Sequence, residues 1–210
     1  MKIPIAKEGY VFIIPTGVIA GLLAIASFYW AAGILFLLFI YVVSFFRDPE
    51  RIIPQKKNAI VSPADGKVVE IVKENDPFLD RPYTRVSIFL NVFNVHVNRI
   101  PIAGRIAKTR YNKGKFLNAA SHKASLDNEQ TALLIDNGRH KIVVKQIAGL
   151  IARRIVCWAK PNDEYQRGQR FGLIRFGSRV DIFVPENSRL VVAIGDHVAG
   201  GKNIIGYLPE

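Results

Sequence analysis

The stretch RFGSRVD, residues 175–181, sets a serine directly after a glycine and between two arginines. Two readings of Gly177 and Ser178 are open. The pair can be a turn, because glycine reaches backbone angles that other residues avoid and serine tolerates the corner. It can equally be a peptide bond built to break. Ser178 lacks the G-x-S-x-G setting of a hydrolase elbow, so the residue alone is no nucleophile signature. Asp65 in SPADGKV stands in turn chemistry, where an aspartate commonly bonds nearby backbone. His96 in NVFNVHVNRIP is a lone histidine in an apolar, strand-like run, the usual setting of a satisfied core residue. Asn118 and His122 fall in YNKGKFLNAASHKASLDNEQT, residues 111–131, a long polar stretch that reads as a loop able to carry function.

Other chemistries find little support. Cys157 is the single cysteine, so no internal disulfide and no cysteine-based zinc site is expected. In RRIVCWA it reads as a buried thiol. His96, His122, His140 and His197 show no pair at metal-ligand spacing, and no metal site is expected.

The elements that must position these residues divide sharply by composition. Half of the 210 residues are apolar and the mean hydropathy is +0.17, high for a chain of net charge +12. The apolar residues must therefore be concentrated. From Gly9 to Phe46 no residue is charged. As one straight helix this stretch would run roughly 57 Å, about twice the hydrocarbon core of a bilayer. Two short helices with a tip near SFYWAAG fit better, with Tyr29 and Trp30 at the far interface. Lys2 and Lys7 precede the stretch and Arg47, Arg51, Lys56 and Lys57 follow it, which favours both ends on the cytoplasmic side. A signal peptide fails on length and lacks a small-residue cleavage site. Pro49 and Pro54 then end the helical segment. Residues 1–56 are expected to form a transmembrane helical hairpin at the cell membrane.

Residues 57–210 read as short strands and turns: AIVS, KVVEIV, TRVSIFLN, VHVNRI, then ALLI and KIVVKQI joined across DNGR, a strong hairpin signal. FGLIRF and RVDIFV flank the Gly-Ser pair. A helical period is visible only as a short one near GLIARRIVCWA. The fold class expected is mainly β, a sandwich or barrel, with SPADGKVVEIV and GDHVAGGKNIIGY similar to the turn regions of lipoyl-carrier folds. A basic surface suits nucleic acid or an anionic membrane. Nucleic acid is disfavoured, because the aromatic residues gather in the apolar segment instead of interleaving with the basic ones.

Six segments in order, FFRDPER, SPADGKV, FLNVFNVHVNRIP, YNKGKFLNAASHKASLDNEQ, IAGLIARRIV and RFGSRVD, resemble the short-type phosphatidylserine decarboxylase proenzymes, a pyruvoyl-dependent family. The resemblance implies self-cleavage at Gly177-Ser178 into a β chain, 1–177, and an α chain, 178–210. It implies that Ser178 becomes a covalent pyruvoyl group. That group, with no pyridoxal phosphate and no metal, would decarboxylate phosphatidylserine to phosphatidylethanolamine through a Schiff base. By the same resemblance Asp65 and His96 assist the serine. The family's better-known H-x-x-H-x-P arrangement is HVNRIP here, so Arg99 fills the second histidine position. Arginine keeps its proton and cannot be a base, which makes Arg99 a substrate-binding candidate with His122 and Asn118. Partners implied are phosphatidylserine, an anionic membrane surface and the two chains of one precursor, with a homo-oligomer left open. Alternatives are an archaetidylserine decarboxylase of the same chemistry, a membrane-tethered binding module in which the Gly-Ser pair is a turn, and a Ser/Lys hydrolase with a lysine against Ser178.

Overall fold

A computed structural model describes residues 4–114, 128–149, 154–175 and 178–210. The chain divides into two compact units, Met1–Glu50 and Arg51–Glu210. In the first, a 3-10 turn at Lys7–Gly9 leads into α1 (Tyr10–Ile25), and α2 (Tyr29–Phe45) returns antiparallel to it. Ser27 adopts a positive φ of 66° at the tip, which reverses the chain within Ala26–Phe28. The helices close because Gly17 lets the Phe39 ring approach and because Phe12 stacks on Phe46 at 5.6 Å. Trp30 and Tyr29 lie at the tip, 91% and 69% exposed. Lys7–Ile25, 19 residues, is long and apolar enough to cross a membrane, with mean hydropathy 1.8 over an 18-residue window, and Tyr29–Phe45 is a shorter apolar helix.

The second unit shows fourteen strands among the described residues. Their bounds are β1 (Ala59–Val61), β2 (Gly66–Asn75), β3 (Pro82–Leu90), β4 (Val97–Arg99), β5 (Gly104–Asn112), β6 (Gln130–Asp136) and β7 (Lys141–Ala148), followed by β8 (Ile155–Cys157), β9 (Glu164–Tyr165), β10 (Arg170–Ile174), β11 (Ser178–Pro185), β12 (Arg189–Leu190), β13 (His197–Val198) and β14 (Ile204–Tyr207). An antiparallel eight-stranded sheet runs β13-β2-β3-β11-β7-β6-β5-β9, and two three-stranded sheets run β1-β14-β12 and β4-β10-β8. The expected β6–β7 hairpin forms across DNGR. There the Asp136 and Asn137 side chains accept N–H bonds from Gly138, Arg139 and His140, and Gly138 supplies a φ of 88°. One apolar core draws residues from all three sheets, among them Ile60, Val86, Ile88, Leu133, Val144, Phe171, Val180 and Ile205. Each such side chain contributes about 1.5–3 kcal/mol by leaving water.

FGLIRF and RVDIFV, which flank the Gly-Ser pair, do not pair with each other: β10 pairs with β4 and β8, while β11 pairs with β3 and β7. Nor does the helical period near GLIARRIVCWA hold at its end, because Ile155–Cys157 is a strand paired to β10. Isoleucine, valine and cysteine in a row suit a pleated surface, and the ladder decides against the local period. The two segments likened to carrier-fold turns do meet, through Val198 opposite Gly66 and through backbone bonds Gly201 N to Ser62 O and Ser62 N to Asn203 O, each 2.8 Å.

Candidate active site

Ser178 is the first residue of β11, the strand flanked on both sides at the middle of the large sheet. Opposite it stand Leu90 on β3 and Ala148 on β7. Side chains alternate along a strand, so Ser178 shares the core face with Val180, Ile182 and Val184. It is fully buried, and its Oγ has no hydrogen-bond partner among the described residues. A buried hydroxyl left unbonded costs about 1–3 kcal/mol and calls for an explanation. Gly177 lies outside the described residues, as do Asn118 and His122.

Arg179 and Asp181 alternate to the other face of β11, where they join a buried ion cluster. Arg179 Nε and Nη2 clasp the two Asp181 oxygens at 2.6 and 3.1 Å. Arg85 donates to Glu70 at 2.6 Å and Glu74 at 2.7 Å, and lies 3.7 Å from Asp181. Burial works against the Arg85 charge, yet Asp181, Glu74 and Glu70 hold its pKa above the ordinary value. Lys145 stands opposite Asp181 in register, and burial pulls its pKa down against the attraction of Asp181. Lys145 is therefore on the face away from the Ser178 hydroxyl, which removes it as the base of a Ser/Lys pair.

His96 precedes β4 and is buried. Its Nδ1 lies 2.9 Å from the carbonyl oxygen of Asn94. A carbonyl only accepts, so Nδ1 is the donor in this contact. The His96 carbonyl accepts from Ile174 N at 3.3 Å, at the end of β10, which brings the histidine backbone to the strand that leads into Ser178.

Asp65 and Arg99 come together elsewhere, at the Ala199–Asn203 turn. Asp65 Oδ2 pairs with Arg51 Nη2 at 2.8 Å, and Oδ1 accepts from Gly200 N at 2.7 Å. Arg99 is buried on β4, bonds the Gly168 carbonyl through Nη1 at 3.0 Å and packs its side chain against Gly201. Gly66, just after Asp65, takes a φ of 158°, and a Cβ there would fall 2.2 Å from the Phe89 carbonyl oxygen. That close approach ties the SPADG turn to β3. Among the described residues no cluster of histidine, cysteine and carboxylate could hold a metal ion. The Cys157 thiol is pushed up in pKa by burial, which makes it a poor nucleophile.

The site fits a keto group at position 178. Such a group would carry a methyl where the hydroxyl stands, and among the described residues that hydroxyl has no hydrogen bond to lose, while Leu90 and Ala148 already supply an apolar setting. Sequence reasoning missed three features: Arg51 as the partner of Asp65, the Arg179–Asp181 clasp, and a buried amide bridge from Gln146 Nε2 to Asn98 Oδ1 at 2.8 Å. The bridge left a trace in the sequence. The inward positions of β7 run Ile142, Val144, Gln146, Ala148, and Gln146 is the polar one.

The model of the phosphatidylserine decarboxylase family matches residues 38–206. A phosphatidylserine decarboxylase proenzyme of Geotalea uraniireducens is 47% identical over 207 residues, covering 98% of this chain and 97% of the relative. Proenzymes of the same name from Burkholderia pseudomallei and Geobacter metallireducens are 46% and 45% identical, each covering 98% of this chain and 96% and 97% of their own. With a match of that length and identity around a buried serine at the head of the central strand, the chain belongs to the phosphatidylserine decarboxylase family.

Proposed function

We propose that this protein is a self-processing decarboxylase that converts phosphatidylserine to phosphatidylethanolamine at position 178. The observation that carries this reading is the buried Ser178 hydroxyl, without a hydrogen-bond partner among the described residues, in a chain of this family. Self-cleavage begins when Ser178 Oγ attacks the Gly177 carbonyl carbon. The C–N bond breaks as a C–O bond forms, and the freed nitrogen takes the hydroxyl proton. Loss of the Cα proton of residue 178 then breaks the Cβ–O bond, which leaves Gly177 as a carboxylate and residue 178 as dehydroalanine. Water adds at Cα, ammonia leaves, and a pyruvoyl group heads the chain 178–210. When present, that group supplies an electrophilic carbonyl for the substrate amine and a sink for the electron pair released with CO₂.

His96 is assigned as the base, because its Nδ1 proton is committed to Asn94 and Nε2 is left as the basic nitrogen. Asp65 is assigned an orienting role, held by Arg51 and Gly200 on its two oxygens. Arg99 is the candidate cation for the lipid phosphate. Leu90 and Ala148 keep water from position 178 and leave the substrate carboxylate poorly solvated, which favours its departure as neutral CO₂. The break falls where the fold tolerates it. β11 remains laddered to β3 and β7 on both sides, so the chain 178–210 stays within the sheet.

β10 and β11 lie in different sheets, which takes support from a hairpin across Gly177-Ser178. The helical hairpin within residues 1–56 is assigned as the membrane anchor, with residues 57–210 on the cytoplasmic side beside their lipid substrate. The test is release of CO₂ from carboxyl-labelled phosphatidylserine in mixed micelles. The wild-type chain should turn over and Ser178→Ala should not. Equal rates from the two would overturn the assignment.

A further inference from the structure

We propose that the Asn98–Gln146 amide pair receives the amino-acid head of the lipid substrate, a reading that rests on decarboxylation at position 178. Asn98 on β4 and Gln146 on β7 are both fully buried and are joined by one hydrogen bond. That bond consumes one donor and one acceptor. Asn98 Nδ2 and Gln146 Oε1 are left with no partner among the described residues. Turning both amides over would still leave one donor and one acceptor, so the surplus does not depend on how they are oriented. Buried amides carry this cost when something else completes them.

Their position says what completes them. Gln146 is opposite Val180, and Ala148, two residues on, is opposite Ser178. Gln146 is thus the diagonal neighbour of Ser178 on the core face, at about 7–8 Å between backbones, a gap long side chains span. From there it reaches out of the large sheet to β4. Gly172 on β10 makes room, since a Cβ there would lie 3.0 Å from Gln146 Nε2 and 2.3 Å from the Val156 carbonyl oxygen. Asn98 is opposite Gly172, and the His96 carbonyl meets the Ile174 amide two residues further along the same strand pair. The amide pair is thus two residues along β7 from Ala148, which faces Ser178, and two residues along the chain from His96.

A serine head held by its nitrogen at position 178 carries its carboxylate two bonds away, on the neighbouring carbon. It needs one acceptor for an amine N–H and one donor for the carboxylate, which is the surplus that Gln146 Oε1 and Asn98 Nδ2 offer. Neutral amides also suit this reaction better than a guanidinium would. A full positive charge would bind the carboxylate most strongly before CO₂ leaves, stabilising the ground state that has to be lost. The product, an ethanolamine head, has no carboxylate for Asn98 to hold, so the pair separates substrate from product.

The test uses the self-cleaved full-length chain in micelles. Lipid amines bound at position 178 are trapped with cyanoborohydride, and the mass of the 178–210 chain gives the fraction trapped. Asn98→Leu keeps the shape and removes both polar atoms. It should raise the phosphatidylserine concentration for half-maximal trapping at least tenfold and leave that for phosphatidylethanolamine within twofold. Asn98→Asp keeps an acceptor for Gln146 and replaces the donor with a negative oxygen, so it should discriminate against the serine lipid at least as strongly. Concentrations that move together for the two lipids, or move for neither, would overturn the proposal. So would failure of both variants to cleave themselves, since the pair would then serve folding or cleavage. A wild-type chain that traps neither lipid would instead refute the decarboxylase reading on which this one rests.

Discussion

The ion cluster behind the scissile bond gives a prediction whose size can be worked from the structure. Asp181 is fully buried and receives Arg179 on both oxygens, with Arg85 within 3.7 Å. The cluster balances three cations, Arg85, Arg179 and Lys145, against Glu70, Glu74 and Asp181. Asp181→Asn keeps the shape but removes a charge and one acceptor, which leaves a net positive charge in a buried place. Removing one partner of a buried pair costs about 3–5 kcal/mol. One acceptor survives in asparagine, so the lower end, about 3 kcal/mol, is expected. Against a domain stability of about 5–15 kcal/mol that is a large share, worth about two powers of ten in the unfolding constant. The assay is urea unfolding followed by circular dichroism, in a Ser178→Ala background so that the two halves remain one chain. The pH dependence adds a second check. Burial already lowers the Lys145 pKa, and loss of Asp181 must lower it further. A group whose pKa is lower folded than unfolded binds more protons in the unfolded chain, so stability rises with pH through that interval. The deficit of Asp181→Asn should therefore narrow as pH rises from 7 toward the ordinary lysine pKa. A loss under 1 kcal/mol at pH 7, or a deficit that widens with pH, would refute the reasoning.

Other consequences concern the processing step. His96→Ala should slow self-cleavage about 10²–10⁴-fold, the usual contribution of a positioned base, as followed by denaturing gel; an unchanged rate would remove His96 from that role. Asp65→Asn should slow it less, because asparagine keeps an acceptor for Gly200 while losing the Arg51 ion pair. Gly172→Ala should cost about 1–3 kcal/mol or more, since the new methyl collides with the Val156 carbonyl and crowds Gln146. Thermal denaturation would measure that cost, and a variant as stable as the parent would contradict the tight packing there.

Much of the architecture was legible because it rests on local signals. The uncharged run from Gly9 to Phe46 announced paired helices, and SFYWAAG, with Tyr29 and Trp30, marked the tip. DNGR announced its hairpin because Asp136 and Asn137 bond the turn backbone themselves. What stayed hidden depends on pairing between distant strands. RFGLIRFGSRVD has the pattern of a hairpin, and nothing local reveals that its halves enter different sheets. Asp65 and His96 attracted attention as residue types, but the Arg51 ion pair and the Asn94 contact that define their states arise from turns and tertiary packing. Arg179 and Asp181 look like the exposed face of a strand in sequence and are buried, because Glu70 and Arg85 from neighbouring strands close over them. A polar residue on an inward-facing position, as at Gln146, was the one sequence clue to the amide layer.

The central claim is that the bond before Ser178 breaks and leaves a new carbonyl. The intact mass of the purified protein under denaturing conditions tests it most directly. The account predicts two species, a chain ending at Gly177 and a chain 178–210 whose mass requires pyruvoyl in place of serine. A single uncut mass from folded protein that also decarboxylates phosphatidylserine would contradict it.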